Sequence, residues 1–228
     1  GKDFEQVNRL MSWDVDELAY IDISDQRSKK VCERSRFFGA LNEIAQSVQV
    51  PLIGGGGIGS IGVAEAFFNN GADRIVINTG IFNDDSVLNQ LIGVFGAQAI
   101  IPSIDYRVFE GVPYVVKERG SVVVGSLEQV LWYSEIGESL ASCELLLRCV
   151  DLDGSSSGLD LERIEEIQRG ILGPIIVAGG VGCELDVVAA FKNFEKPISV
   201  MVGNFFNFRE MAYPITKRAC GREGVYLR

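Results

Sequence analysis

Hydrophobic and polar positions alternate along this 228-residue chain with two periods, one typical of buried strands and one of amphipathic helices. In residues 51–83 a short apolar run is followed by four glycines, an apolar stripe at helical spacing and a second apolar run. Both runs are too uniformly apolar for half-exposed strands, which is the pattern of a parallel sheet covered on both faces. This stretch therefore predicts one β-α-β unit.

The same unit recurs in the second half of the chain. Residues 173–182 repeat the proline, the apolar triplet and the glycine turn, and a helix over 187–191 and a strand over 198–204 follow. Asp22 and Asp151 precede the two copies, each at the end of an apolar strand. A long duplication of β/α units predicts an α/β fold, a (β/α)8 TIM barrel built of two half-barrel repeats and forming one domain over residues 1–228.

The remaining pattern gives the other elements of this barrel. Strands are predicted to begin near Leu18, Leu52, Ile75, Ala99, Leu145, Ile175 and Ile198. Further helices are predicted over 4–11, 38–48, 85–95, 127–136, 161–167 and 208–220, and alternation over 106–117 predicts a β-hairpin. Only seven strands of a closed barrel are found and the chain opens on a helix, so we expect the first strand to precede Gly1.

Composition and charge restrict the partners. The net charge is −10 and the sequence pI is about 4.6. Without a Lys/Arg stripe the chain is not expected to bind nucleic acid, and an anionic substrate must be held by local groups such as backbone amides. No apolar run is long enough to cross a membrane and the first residues do not form a signal peptide, so we expect no membrane partner and a cytoplasmic location.

The absence of histidine and the cysteine count restrict the chemistry. A chain without histidine cannot use a histidine general base, a histidine triad or a histidine-ligated metal. The five cysteines are an odd number without metal-ligand spacing, which favours reduced thiols. We therefore expect no metal and no cofactor.

Asp105 is the candidate catalytic residue. It follows an apolar strand at its predicted carboxyl end, the face at which barrel active sites lie, and a carboxylate there is suited to proton transfer. Alternatively, it caps the hairpin that follows. Asp22 and Asp151 are either site residues or loop braces, and the glycine turns either bind anions or simply reverse the chain.

Several motifs together resemble one family. They occur in its order and spacing along nearly the whole chain: DELAYIDIS, GGGGIGS, GADRIVINTG, FGAQAIIPSID, CELLLRCVDLDGSSSGLD, IIVAGGVG and NFREM. The chain resembles the cyclase subunit of imidazole glycerol phosphate synthase, the barrel half of a glutamine amidotransferase in histidine biosynthesis. The resemblance implies a lyase that receives ammonia from a partner glutaminase, docked as a heterodimer at the barrel bottom, and a bis-phosphorylated aminoimidazole ribonucleotide as substrate.

The resemblance also implies roles for individual residues. Asp105 is the second of a catalytic aspartate pair whose first member has no counterpart here. One substrate phosphate is expected at Gly57, Asn78 and Thr79. The other is expected at Asp153, Gly154, Gly179, Gly180, Gly203 and Asn204. Glu17, Arg74 and Glu144 correspond to a charged ring that gates ammonia entry.

The chain departs from this family in substrate-facing loops. A basic residue and a Thr-Lys pair of the family are replaced by Leu152 and Ser155-Ser156, Asn207 stands where a histidine is common, and the loop after Asp25 is longer. These departures leave two alternatives open. One is a paralogous barrel that channels ammonia for amidation of a bacterial surface sugar, without chemistry of its own. The other is a related phosphoribosyl isomerase.

Overall fold

A computed structural model describes residues 2–24, 30–84, 86–132, 137–171, 173–194, 196, 198–225 and 227. The helices are α1 Lys2–Ser12, α2 Ser35–Ser47, α3 Ile61–Asn69, α4 Ser86–Phe95, α5 Leu127–Trp132, α6 Gly137–Ala141, α7 Leu161–Gly170, α8 Glu184–Asn193, α9 Asn204–Phe208 and α10 Ala212–Arg222. The strands are β1 Leu18–Ile21, β2 Leu52–Gly55, β3 Arg74–Ile77, β4 Ile100–Phe109, β5 Val112–Lys117, β6 Val122–Ser126, β7 Leu145–Cys149, β8 Ile175–Ala178 and β9 Ile198–Met201. Short 3-10 turns occur at Val31–Arg34, Thr79–Phe82 and Ala97–Ala99.

The chain forms two compact units. The first comprises residues 1–103 with 135–143, and the second comprises 104–134 with 144–228. In the first unit β1, β2, β3 and the start of β4 pair in that order, all parallel. In the second unit β7, β8 and β9 pair in parallel, and β5 joins β4 and β6 as an antiparallel meander. This alternation of parallel strands and helices confirms the predicted α/β fold class of the (β/α)8 type.

The predicted duplication is visible in the backbone of each unit. Gly56 and Gly57 have φ of 111° and 66°, and their counterparts Gly179 and Gly180 have φ of 96° and 99°. Both copies also share a hydrogen bond between neighbouring strands. The amide of Leu18 donates to the carbonyl of Pro51 over 3.0 Å in the first unit, and the amide of Leu145 donates to the carbonyl of Pro174 over 3.2 Å in the second. The two copies therefore share their turn geometry as well as their sequence pattern.

The register corrects one equivalence inferred from the sequence. A Cβ atom on Gly56 would lie 2.4 Å from the carbonyl oxygen of Asp22, and one on Gly179 would lie 2.5 Å from that of Cys149. The structural counterpart of Asp22 is therefore Cys149, two residues before Asp151. The sequence pattern paired the two aspartates because both end an apolar run, whereas strand pairing sets the actual correspondence.

Two further elements differ from the sequence prediction. Strand β4 does not stop at Asp105 but continues to Phe109 as the first arm of the hairpin, and β6 adds a third strand that was not predicted. The last helix, predicted over 208–220, begins only at Ala212 as α10, because Met211 directly before it adopts a left-handed conformation with φ of 56°, and Phe208 ends the separate helix α9. The prediction of one domain over 1–228 stays a prediction.

The helices of the described residues are short. None of them is both long and apolar enough to cross a membrane. The longer loop noted after Asp25 falls on residues 25–29, outside the described part of the chain.

Candidate functional site

Asp105 lies where β4 changes partner. Up to Pro102 this strand pairs with β3, and from Asp105 onward it pairs with β5, starting opposite Val116. Asp105 is only 4% exposed, and a buried carboxylate is costly unless it is paired. Its partner is Arg148 on β7, which donates from Nε to Oδ1 over 3.2 Å and from Nη2 to Oδ2.

Arg148 also reaches the loop that follows β7. Its Nη1 donates to Oδ2 of Asp153 over 3.3 Å. Burial alone would lower the pKa of Arg148, but the hydrogen bond and charge of Asp105, together with Asp153, outweigh burial and raise that pKa above its ordinary value. The guanidinium thus links the candidate catalytic carboxylate to the loop that carries Asp153 and Gly154.

The first glycine turn is packed tightly against its neighbours. Gly80 approaches the turn so closely that a Cβ atom there would lie 2.2 Å from the carbonyl oxygen of Ile58. The Asn78 side chain donates from Nδ2 to the carbonyl of Ser103 over 2.8 Å, and Thr79 Oγ1 donates to Asn78 Oδ1 over 3.3 Å. The Asn78 side chain is therefore held by hydrogen bonds within the protein. The candidate ligands for an anion in this segment are the backbone amides, and not this side chain.

The second glycine turn is covered by the loop after β7. The amide of Gly158 donates to the carbonyl of Gly180 over 2.9 Å, and a Cβ atom on Gly180 would lie 1.9 Å from the carbonyl oxygen of Gly158. A Cβ atom on Gly154 would lie 3.3 Å from Nδ2 of Asn204. The structure therefore brings the loop residues predicted for the second phosphate next to the other residues predicted for it.

Asn78 and Gly203 have the same backbone conformation. Their φ and ψ are −119° and −90° for Asn78, and −98° and −89° for Gly203. Nothing lies within 4 Å of where a Cβ atom on Gly203 would be, so its backbone borders open space. In contrast, Asp186 accepts from the amides of Gly182 and Cys183 over 2.8 and 3.0 Å. The start of α8 is thus capped internally, whereas Gly203 borders open space on the side of its Cβ position.

Comparison with known proteins identifies the family of the chain. Residues 1–212 match the model of the family described as histidine biosynthesis protein. The chain belongs to the histidine biosynthesis protein family. Imidazole glycerol phosphate synthase subunit HisF of Cytophaga hutchinsonii is 31% identical over 94% of this chain and 82% of its own length. The subunits of the same name from Pyrobaculum aerophilum and Corynebacterium urealyticum are each 29% identical, over 100% and 98% of this chain and 87% and 86% of their own lengths.

In this member of the histidine biosynthesis family, two of the three predicted gate residues lie in the first unit. Nη1 of Arg74 is 3.8 Å from Oε2 of Glu17, and Nε of Arg74 donates to the carbonyl of Gln98 over 3.1 Å. Both stand at the amino ends of parallel strands, opposite the glycine turns. Glu144 directly precedes β7 in the second unit. The role of these three residues stays a prediction.

An open depression of about 800 Å³ lies beside Arg74. It is lined by the ends of α2 and α3 and by the segment around Pro51. It therefore belongs to the amino ends of the strands of the first unit, away from the first glycine turn. Among the described residues no group of three or more histidine, cysteine, aspartate or glutamate side chains is arranged to hold a metal ion.

Sequence reasoning missed the arginines that pair with the strand-end aspartates. Arg148 was read as part of an apolar strand, although a charge within LLLRCVD is itself a signal of a buried partner. Arg34, which pairs with Asp22, lies directly after the polar segment of residues 25–33 and has no distinguishing pattern. In contrast, Asp151 braces a loop as one of its two interpretations suggested, since it accepts from Nε of Arg107 over 2.7 Å.

Proposed function

We propose that this chain is the synthase subunit of an imidazole glycerol phosphate synthase. In this role it is a lyase that combines ammonia with a bis-phosphorylated aminoimidazole ribonucleotide to form imidazole glycerol phosphate. The observation that carries the proposal is that a glycine turn of the same backbone geometry follows a parallel strand in each unit, together with a buried aspartate, Asp105, on β4. The likeness to three subunits of that printed name supports it.

Each substrate phosphate has a candidate cradle of backbone amides. Gly57, Asn78 and Thr79 form the first. The second is formed by Gly154, Gly179, Gly180, Gly203 and Asn204. Asp153 directly precedes Gly154 in the same loop, but its own amide donates to the carbonyl of Cys149 over 3.1 Å. Converging amides carry partial positive charge and hold an anion even where the net charge of −10 opposes it.

Ammonia is supplied by a glutaminase partner in this proposal. A subunit name implies a second chain, and the Glu17–Arg74 pair with the adjoining depression supports docking at the amino ends of the strands. The reaction requires no metal and no cofactor, and we expect it to occur in the cytoplasm.

The test is turnover by the purified chain with the ribonucleotide and an ammonium salt. The wild type should form imidazole glycerol phosphate, and Asp105→Asn should lose at least about a hundredfold of that rate, because it removes a proton-transfer group while keeping the shape. Circular dichroism controls for folding. An unchanged rate in a folded Asp105→Asn variant would remove Asp105 from the chemistry.

A second function is favoured by one specific contact. Arg148 donates to both carboxylate oxygens of Asp105, so this carboxylate is already engaged in a salt bridge. A paralogous barrel that only channels ammonia to another enzyme, such as one amidating a surface sugar, has no need of a free carboxylate there. Absence of ammonium-driven turnover in the wild type, together with glutaminase binding, would support this function instead.

A further inference from the structure

The guanidinium of Arg148 lies between two carboxylates of very different exposure. The side chain of Asp105 is 5% exposed and accepts two hydrogen bonds, whereas that of Asp153 is 52% exposed and accepts one over 3.3 Å. Exposed ion pairs contribute little because water screens them, and buried bidentate pairs are fixed. Asp105 therefore anchors Arg148, and Asp153 is the partner that can be exchanged.

Strand register places Arg148 beside the second glycine turn. Arg148 pairs with Ala178 on β8, and Ala178 pairs with Met201 on β9. These three residues are level across the sheet, and the segments 179–180 and 202–204 begin directly after two of them. Asp153, which Arg148 reaches, is followed by the glycine that faces Asn204. The guanidinium of Arg148 thus lies close to the residues proposed to form the second cradle.

Arg148 retains donors that an anion can use. Its described contacts with Asp105 and Asp153 use three of the five N–H groups of a guanidinium, and its side chain is 36% exposed. Two carboxylates and one guanidinium leave a net negative charge beside a cradle proposed to hold phosphate. A planar guanidinium matches the oxygens of phosphate and offsets that charge.

We propose that Arg148 is a specificity-determining residue of the second anion site. It donates to the phosphate that segments 179–180 and 202–204 hold, Asp105 keeps it in position, and Asp153 competes with the phosphate for Nη1. This inference rests on the second cradle of the proposed function. In this role Arg148 supplies a cation from strand β7. The loop of the same site has Leu152 and two serines, Ser155 and Ser156, and no basic residue.

The test is titration of the isotope-labelled 228-residue chain with inorganic phosphate, followed by amide NMR. Signals of Gly57 and Thr79 report the first cradle, and those of Gly154, Gly180 and Gly203 report the second. In the wild type both sets should shift on adding phosphate. The two dissociation constants are then obtained from one sample.

Substitutions of Arg148 and of its exchangeable partner Asp153 should change phosphate binding at the second cradle alone. Arg148→Met should weaken phosphate binding there about tenfold, the loss expected for one charge-assisted hydrogen bond, and leave the first cradle unchanged. Asp153→Asn should strengthen it several-fold by removing the competitor. Arg107→Met, which removes an exposed arginine paired with Asp151, is the matched control and should change neither constant.

The outcomes separate this inference from the proposed function. Equal second-cradle constants in the wild type and Arg148→Met would overturn the role of Arg148 and leave the cradle intact. No shift at either set in the wild type would overturn both. If Arg148→Met does not fold because buried Asp105 loses its arginine, the double variant Asp105→Asn/Arg148→Met removes both charges, and its second-cradle constant decides the question in the same way.

Discussion

Asp22 and Arg34 form a buried ion pair at the carboxyl end of β1. Nη2 of Arg34 is 2.9 Å from Oδ2 of Asp22 and donates to the carbonyl of Gly56 over 3.0 Å, and the two side chains are 0% and 4% exposed. The guanidinium also lies 5.1 to 5.4 Å from the centres of three phenylalanine rings, at Phe37, Phe38 and Phe67. Burial lowers the pKa of Arg34, although Asp22 opposes this change. Asp22 thus fixes the first glycine turn through Arg34.

Arg34→Met should therefore destabilise the fold. Removing one partner leaves the other charge buried without compensation, which costs about 3–5 kcal/mol. Urea denaturation at neutral pH measures the free energy of unfolding. The exposed pair of Arg169 and Glu165 on α7 provides the control, and Arg169→Met should cost less than about 0.5 kcal/mol. Similar losses in the two variants would contradict a structural role for the Asp22–Arg34 pair.

Asp151→Asn should reduce stability at neutral pH but not in acid. Burial opposes the effect, but the hydrogen bonds from Arg107 and from the amide of Val108 lower the pKa of Asp151. A lowered folded-state pKa stabilises the fold above the unfolded value of about 3.9, and that contribution is lost as pH falls through the folded pKa. Melting temperatures of wild type and variant should differ at pH 7 and converge near pH 2.5. A constant difference would exclude this linkage.

The cysteines should differ in their reaction with iodoacetamide. Burial raises the pKa of the thiols of Cys143, Cys149 and Cys220, and the thiolate is the reactive form. Cys32 is exposed and should be labelled first at pH 8, with Cys183 slower. Mass spectrometry of the native chain measures this order, and labelling in urea shows that all five can react. Early labelling of a buried thiol would indicate local opening.

Alanine substitutions at two glycines of the second cradle should differ in their effect on stability. Gly180 has φ of 99°, and its Cβ atom would lie 1.9 Å from the carbonyl oxygen of Gly158, so Gly180→Ala should cost more than about 1 kcal/mol. Gly203 has negative φ and borders open space, so Gly203→Ala should fold with nearly wild-type stability. Thermal melting compares the two. Equal stability would mean that Gly180 is not needed for close packing.

Arg74→Ala tests the ammonia entrance that follows from the proposed function. Loss of the contacts to Glu17 and to the carbonyl of Gln98 should let ammonia escape, so glutamine-dependent product should fall severalfold while ammonium-driven product is largely spared. The ratio of the two rates, measured with the glutaminase bound, is the decisive quantity. The same ratio in wild type and variant would leave Arg74 as an ordinary ion-pair partner.

The order of strands and helices was predictable because it depends on local periodicity. The glycine turns were predictable for the same reason, since four glycines between an apolar run and a helical stripe interrupt both patterns and allow the positive φ that a tight turn needs. Contacts between side chains distant in sequence were not. The pairing of Asp105 with Arg148 depends on how β4 and β7 are aligned, and that alignment is not encoded in either segment alone. Register also decides that Cys149, and not Asp151, corresponds to Asp22.

The third strand of the meander was missed for a different reason. Strand β6 begins with three consecutive exposed valines, of which Val123 is 63% exposed. An exposed apolar strand has no alternation to distinguish it from a loop. The start of the last helix after Met211, and not at Phe208, was likewise not predictable, because a left-handed conformation at a methionine has no local sequence signal.

The shared conformation of Asn78 and Gly203 has a consequence for how the two halves of this protein can diverge. A site assembled from main-chain amides is inherited through the path of the backbone, so its side chains can be exchanged without losing the ligand. The pair Asn78-Thr79 in one half and Gly203-Asn204 in the other illustrate this freedom. After a duplication, each half can therefore come to prefer a different anion while its proposed backbone cradle stays constant.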